Sequence, residues 1–298
     1  MLDIKKIREN PEEIKAAMKK RCLDLDAVVD DILKIDIERR KLSTQTDQMK
    51  SEQNSVSKKI PLLKKSGEDI APILAKMKEL STEITESAAK VSELEEQQRS
   101  LLLSLANIPD EDLAAGGKEN NVALRYFKEV PKFDFTPKNH VELCESLGLI
   151  DYERGAKLAG AGSWVYRGWG ARLEWALLNS FIEEHIADGY EFVLPPHMLN
   201  YECGYTAGQF PKFGDEVYKI ANPTSEVAKF MLPTAETALV NLHRDEILTM
   251  DELPRKYIAY TPCYRREAGS YRSEERGMIR GHQFNKVELV KLTTPETS

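Results

Sequence analysis

Apolar residues in the first third of the chain recur at every seventh position. Val28, Ile35, Leu42, Met49, Val56 and Leu63 form one series, with Ile32 and Ile60 on a companion seam. Beyond the polar stretch Lys64-Lys65-Ser66-Gly67-Glu68-Asp69, a second series runs through Ile70, Met77, Ile84, Val91 and Leu105, supported by Ile73, Leu80, Leu94 and Leu101. Heptad spacing lines one side of an α-helix, and two such stripes around a short polar turn predict an antiparallel helical coiled-coil hairpin over about residues 28–105. At about 1.5 Å per residue, each limb reaches on the order of 50 Å. Arg39, Thr46, Gln53 and Ser81 interrupt the seam, so the hairpin is expected to be marginal by itself. Ahead of it, Asn10-Pro11-Glu12-Glu13 reads as a helix start: a capping side chain, proline at the first helical position and acids in the first turn.

The pattern changes after Asn107-Ile108-Pro109-Asp110, where proline and aspartate break the helix. This predicts an N-terminal domain over 1–107, a linker over 108–132 and a second domain over 133–298. In that domain a helix from Ala171 carries a stripe of Leu173, Ala176, Leu177 and Phe181 and stops at Asp188-Gly189. A strand over Tyr190 to Leu194 then closes on Pro195-Pro196. Near the end, Lys256 to Glu267 and His282 to Leu292 have the composition and period-two alternation of strands, joined by a charged loop. Antiparallel pairing would bring Arg265 and Glu267 onto one surface with Phe284, Lys286 and Glu288, flanked by Arg272, Arg276 and Arg280. The fold class is therefore α+β.

Composition narrows the function. With 298 residues the chain is long enough for two domains. Charged residues make up 31% and the net charge is −7, which argues against sequence-blind binding along nucleic-acid backbones and confines any RNA contact to a local patch. Cys22, Cys144, Cys203 and Cys263 are far apart and lack zinc-ligand or disulfide spacing. Without an apolar run of about 20 residues or a secretion-type start, a cytoplasmic location is expected. Gly160-Ala161-Gly162 precedes a strand and no third glycine opens a helix, so it is not a dinucleotide fingerprint.

The hairpin residues suit a nucleotide. A guanidinium such as Arg265 donates two parallel bonds to a phosphate and stays charged. Glu267 can accept from an exocyclic amine, Phe284 offers a stacking face, and Glu288 needs a cation or donor on an otherwise apolar strand. Solvated charges on an amphipathic hairpin are the alternative. Thr234-Ala235-Glu236 could hold an ammonium group, or Thr234 could merely cap a helix over Glu236 to Arg244. The first limb of the arm bears Arg39, Arg40, Lys41, Lys58 and Lys59, fit either for RNA or for a plain coiled-coil spacer or dimerisation arm.

Two runs carry a family resemblance. Tyr264-Arg265-Arg266-Glu267 and Ile279-Arg280-Gly281-His282-Gln283-Phe284-Asn285-Lys286-Val287-Glu288 resemble the second signature motif of class II aminoacyl-tRNA synthetases, in the form carried by seryl-tRNA synthetases. The opening Met1-Leu2-Asp3-Ile4-Lys5 is similar too. The resemblance implies ATP as substrate, held by Arg265, Arg266, Glu267, Arg280 and Phe284, with Arg265 catalytic at the α-phosphate. It implies serine bound by Thr234, Ala235, Glu236 and Glu288, and tRNA(Ser) met by Arg39, Arg40, Lys41, Lys58 and Lys59. The helix from Ala171 resembles the first motif and implies a homodimer, without a membrane. Leu113 to Lys118 stands where these enzymes carry a Val-Pro-Gly-type turn, and Phe210 where they carry leucine.

A class II catalytic domain also has a third motif with a second ATP-binding arginine and acidic Mg2+ ligands. Neither is found by residue 298, so the metal ligands are expected beyond it and the chain is expected to be a fragment that does not activate serine unaided. ATP–pyrophosphate exchange by the chain alone would overturn that expectation. His282 and His140 are expected to be structural. Two other readings stand beside the ligase: an idle paralogue that binds tRNA or a protein through the arm, and a carrier-charging relative, disfavoured because such relatives lack the arm.

Overall fold

Heptad-patterned residues form the longest elements of the protein. In a computed structural model, which describes residues 1–65, 69–222, 224, 226–267 and 277–298, helices α1 (Ile4–Glu9) and α2 (Pro11–Lys20) precede α3 (Asp26–Lys65) and α4 (Ala71–Ser104). The turn expected around Ser66 to Glu68, and the loop residues Arg272 and Arg276, lie outside the described residues. The chain divides into two units, Met1–Glu129 and Val130–Ser298.

In the first unit α3 and α4 pack along each other. At 40 residues, α3 extends about 60 Å. The apolar seam changes character along its length. At the base the fully buried positions are Val29 and Ile32, whereas Val28 and Ile35 are half-buried. The reason is that α1 and α2 dock there: Ile7 and Ile14 join Val29, Ile32, Leu102 and Leu105 in one cluster, so a broader face is covered than a two-helix seam requires. Polar residues enter the seam in pairs. Thr46 Oγ1 and Ser87 Oγ lie 2.6 Å apart, and Asp36, only 1% exposed, accepts from Gln98 Nε2 at 3.4 Å. Arg8 Nε of α1 approaches the same carboxylate at 3.0 Å and Arg39 Nη2 at 3.3 Å. A buried carboxylate is tolerated because cations surround it.

The second unit contains α5 (His140–Ser146), β1 (Ile150–Asp151), α6 (Tyr152–Ala159), β2 (Val165–Tyr166), α7 (Trp169–Ala187), β3 (Glu191–Phe192) and β4 (Met198–Asn200). It continues with α8 (Glu202–Thr206), β5 (Lys229–Met231), α9 (Glu236–Leu239), β6 (Arg255–Tyr264) and β7 (Gln283–Leu292). Strands β1 and β2 pair, β4 and β5 pair, and the central sheet has the order β3-β6-β7. The β6–β7 hairpin is antiparallel from Arg255↔Leu292 to Tyr264↔Gln283. Edge strand β3 runs parallel to β6, so the sheet is mixed. It is also shorter than the expected Tyr190–Leu194.

Two helices sandwich the hairpin. On one face α7 packs through Trp175, which meets Tyr260 edge-on at 5.5 Å, and through Glu174 Oε1, which accepts from Asn285 Nδ2 at 3.1 Å. On the other face Ala235 and Leu239 of the α9 region pack on Tyr257 and Ala259. Beside them Phe230, Leu232, Phe210, Val217 and Cys263 form a buried cluster. Truncating a wholly buried phenylalanine such as Phe230 costs about 3–5 kcal/mol in such settings.

Two expectations change. Strand β6 stops at Tyr264, so Arg265 and Glu267 lie past its end and their period-two relationship does not hold: Glu267 takes a left-handed φ of 48°. Helix α9 has only four residues, not the stretch to Arg244, and Thr234 is not its cap. The apolar α7 stripe lies at the surface: Leu173 is 65% exposed, Leu177 50% and Phe181 42%, while Gly170, Leu178 and Ile182 are the buried positions.

Candidate active site

Register determines what the hairpin presents. Opposed residues of an antiparallel pair point to the same side of the sheet. Phe284 faces Cys263, Lys286 faces Thr261 and Glu288 faces Ala259. The β6 members of these pairs are small and wholly buried, which leaves the larger β7 side chains to shape the surface. The connection between β5 and α9 is pinned above this row. Tyr264 N donates to Leu232 O at 3.0 Å, and Arg265 Nε donates to Pro233 O at 3.2 Å.

That connection delivers Thr234 to the strand. Thr234 is 2% exposed, and its hydroxyl donates to Glu288 Oε2 at 2.6 Å. Lys286 Nζ donates to Thr234 Oγ1 at 2.9 Å and is ion-paired with Glu288 Oε2. The backbone N–H of Glu236 donates to the same hydroxyl at 3.3 Å. One step along the row, the Arg265 guanidinium lies over the Phe284 ring, 5.1 Å from its centroid. A fixed cation, an aromatic plane and a hydroxyl–carboxylate pair thus occupy one continuous face, an arrangement suited to a phosphate, a base and an ammonium group.

The other site residues divide. Ala235 is buried in the core and Glu236 is half-buried beside Thr234. Glu267 and Arg280 pair with each other beyond the strand ends, Arg280 Nη1 lying 3.3 Å from Glu267 Oε2. Arg266 turns away: Nη1 donates to Asp215 O at 2.9 Å and its backbone N to Glu216 O at 2.8 Å. His282 Nδ1 is 3.3 Å from Arg265 O, and His282 N donates to Gly162 O at 3.3 Å. Its contacts are those of a residue that holds the hairpin mouth. Cys263 is a neutral thiol, since burial pushes its pKa up.

In the arm, Arg39 is turned into the helix pair, shared between Asp36 and Glu95 at 3.3 and 3.5 Å. Arg40, Lys41, Lys58 and Lys59 are exposed. Two residues carried no role in the sequence reading and acquire one here: Lys286, visible beforehand only as a face-mate of Phe284 and Glu288, and Asp36, which no periodicity marks.

Known proteins share both units. Residues 1–109 match the seryl-tRNA synthetase N-terminal domain, and residues 218–298 match the tRNA synthetase class II core domain (G, H, P, S and T). Serine–tRNA ligase 2 of Clostridium acetobutylicum is 55% identical over 300 residues, covering 100% of this chain and 70% of that protein. The chain belongs to the seryl-tRNA synthetase family. Serine–tRNA ligase of Alkaliphilus oremlandii is 47% identical, with 100% of this chain and 69% of that protein covered. Among solved structures, seryl-tRNA synthetase from Pyrococcus horikoshii complexed with ATP superposes with a TM-score of 0.90 at 32% identity, covering 100% of this chain and 71% of that one. A cytoplasmic serine–tRNA ligase from Naegleria fowleri in complex with AMP gives 0.83 at 25% identity, with 99% and 67% covered. The family is one of aminoacyl-tRNA synthetases, enzymes of the ligase class. No helix among the described residues is long and apolar enough to cross a membrane.

Proposed function

We propose that the Phe284–Glu288 face is a seryl-adenylate site, working in ATP-dependent charging of tRNA(Ser) with serine. The observation that carries this reading is the bond between Thr234 and Glu288 beside the Arg265–Phe284 pair. Arg265 takes the α-phosphate of ATP, Phe284 stacks on adenine, and Glu267 with Arg280 borders the base. Thr234, Glu236 and Glu288 receive the serine ammonium. The serine carboxylate attacks the α-phosphorus in line, the bond to the bridging oxygen breaks, and pyrophosphate leaves with that electron pair. Transfer of the seryl group to the tRNA 3′ end follows. Arg265 favours the first step by staying charged as negative charge grows on the phosphate. Positioning supplies the rest, and no covalent protein intermediate is needed.

Among the described residues no group of three or more His, Cys, Asp or Glu side chains converges. The acidic magnesium ligands of such an enzyme are proposed to lie elsewhere than among these residues. Exposed Lys41, Lys58 and Lys59 support RNA contact by the arm, and the apolar α7 face supports a homodimer. Likeness to serine–tRNA ligases supports action in the cytoplasm. Calorimetric titration of serine and ATP into the wild-type chain and Glu288→Gln tests the site. Serine binding that is unaltered in the variant rejects it.

A further inference from the structure

Thr234 has no hydrogen-bonding capacity left for a ligand. A hydroxyl has one donor and two acceptor positions. Its proton goes to Glu288 Oε2, and its two acceptor positions take Lys286 Nζ at 2.9 Å and the Glu236 N–H at 3.3 Å. Glu288 Oε2 in turn holds both Thr234 and Lys286. A substrate ammonium seeking Thr234 and Glu288 finds an ammonium already there.

We propose that Lys286 is an internal stand-in for the substrate ammonium, and that serine binds by exchange, its α-ammonium displacing the Lys286 ammonium from Thr234 and Glu288. This inference rests on the assignment of Thr234 and Glu288 to the serine ammonium. The backbone N–H of Glu236 cannot leave without unfolding the start of α9, so Lys286 is the partner that must yield. Its side chain remains 30% exposed, and a four-carbon stem swings toward water without moving the strand. Holding both cations against one carboxylate is opposed by like-charge repulsion in a partly desolvated site. The resident lysine keeps the empty face neutral, because a half-buried carboxylate without a cation is costly. It does so by competing with the ligand.

Lys286 is thus a positioning residue with a particular sign: its removal strengthens the binding of amines. In calorimetric titrations of the whole chain, Lys286→Met should bind serine and serinamide about tenfold more tightly than wild type. Glycerate, which has the carboxylate and lacks the ammonium, should gain nothing, and ATP affinity should be unchanged. Lys286→Gln serves if the Met variant fails to fold, and Lys286→Arg should not show the gain. Weaker binding of serine and glycerate together would mean that Lys286 holds the carboxylate, and would overturn the exchange. Unchanged serine affinity in Lys286→Met also overturns it. If wild type binds no serine, or Glu288→Gln binds it as well as wild type, the assignment of the serine site fails instead.

Discussion

Thr234 Oγ1 lies 2.6 Å from Glu288 Oε2, although 54 positions separate the two residues in sequence. One sits in the connection that leads into α9, the other in the middle of β7. Their meeting gives a half-buried strand carboxylate a hydroxyl donor from a distant segment of the chain.

Thr234→Val removes the hydroxyl at nearly constant volume. Bonds to charged groups contribute about 1.5–3 kcal/mol, but the resident Lys286 loses its bond to the same hydroxyl, so the variant should bind serine more weakly by less than about tenfold, with ATP affinity retained. Titration of each ligand separately checks this, and equal losses for both would point to a folding defect.

Arg265→Lys should lose ATP affinity by at least about tenfold despite keeping the charge. A lysine reproduces neither the planar fork nor the overlap with Phe284 at 5.1 Å. Phe284→Leu should weaken ATP while leaving serine binding intact. Fluorescent ATP-analogue binding distinguishes these outcomes.

Asp36→Ala leaves Arg8, Arg39 and Gln98 turned toward a position without its carboxylate. Because Arg8 is 36% exposed and water can resolvate it, the cost should be moderate, about 1–3 kcal/mol. A urea unfolding midpoint of the arm that does not move would refute the linking role.

Leu173→Glu with Leu177→Glu places charges on the exposed face of α7 and leaves the buried Leu178 and Ile182 untouched. The monomer fold should persist and self-association should be lost, as read by analytical ultracentrifugation. A wild-type chain that sediments as a monomer at high concentration rejects the dimer.

The Asp151 carboxyl is held below its ordinary pKa, first by the Arg154 backbone N–H at 2.9 Å and then by the Arg154 side chain, with Arg167 adding a smaller pull. A depressed folded pKa gives stability that is present above the unfolded value of about 3.9 and lost as pH falls through the folded value. Asp151→Asn should therefore flatten the acid side of the stability–pH curve below about pH 4 and change little in its slope near pH 7. Thermal melts across that range provide the measurement.

Local regularities in the sequence carry much of the architecture. The seven-residue spacing of Leu42, Met49, Val56 and Leu63 needs only helical periodicity to imply an arm, and α3 and α4 follow it. Alternation alone put Phe284, Lys286 and Glu288 on one face, and β7 spans all three. The motif around Arg265 carried the family. Spacing failed where the backbone departs from a regular element: at Glu267, with its left-handed φ of 48°, and at the base of the arm, where docking of α1 and α2 makes Val29 the buried position.

The sequence by itself determined the arm, the paired strands and the chemistry available to the hairpin, because each depends on neighbours within a few residues along the chain. Only the tertiary structure decided that Thr234 closes on Glu288, that Lys286 occupies the space between them, that Asp36 gathers Arg8 and Arg39, and that the α7 stripe faces outward. The deciding contacts, Thr234 with Glu288 and with Lys286 and Arg8 with Asp36, join residues tens of positions apart. They are set by which surfaces pack together, and no local period encodes that.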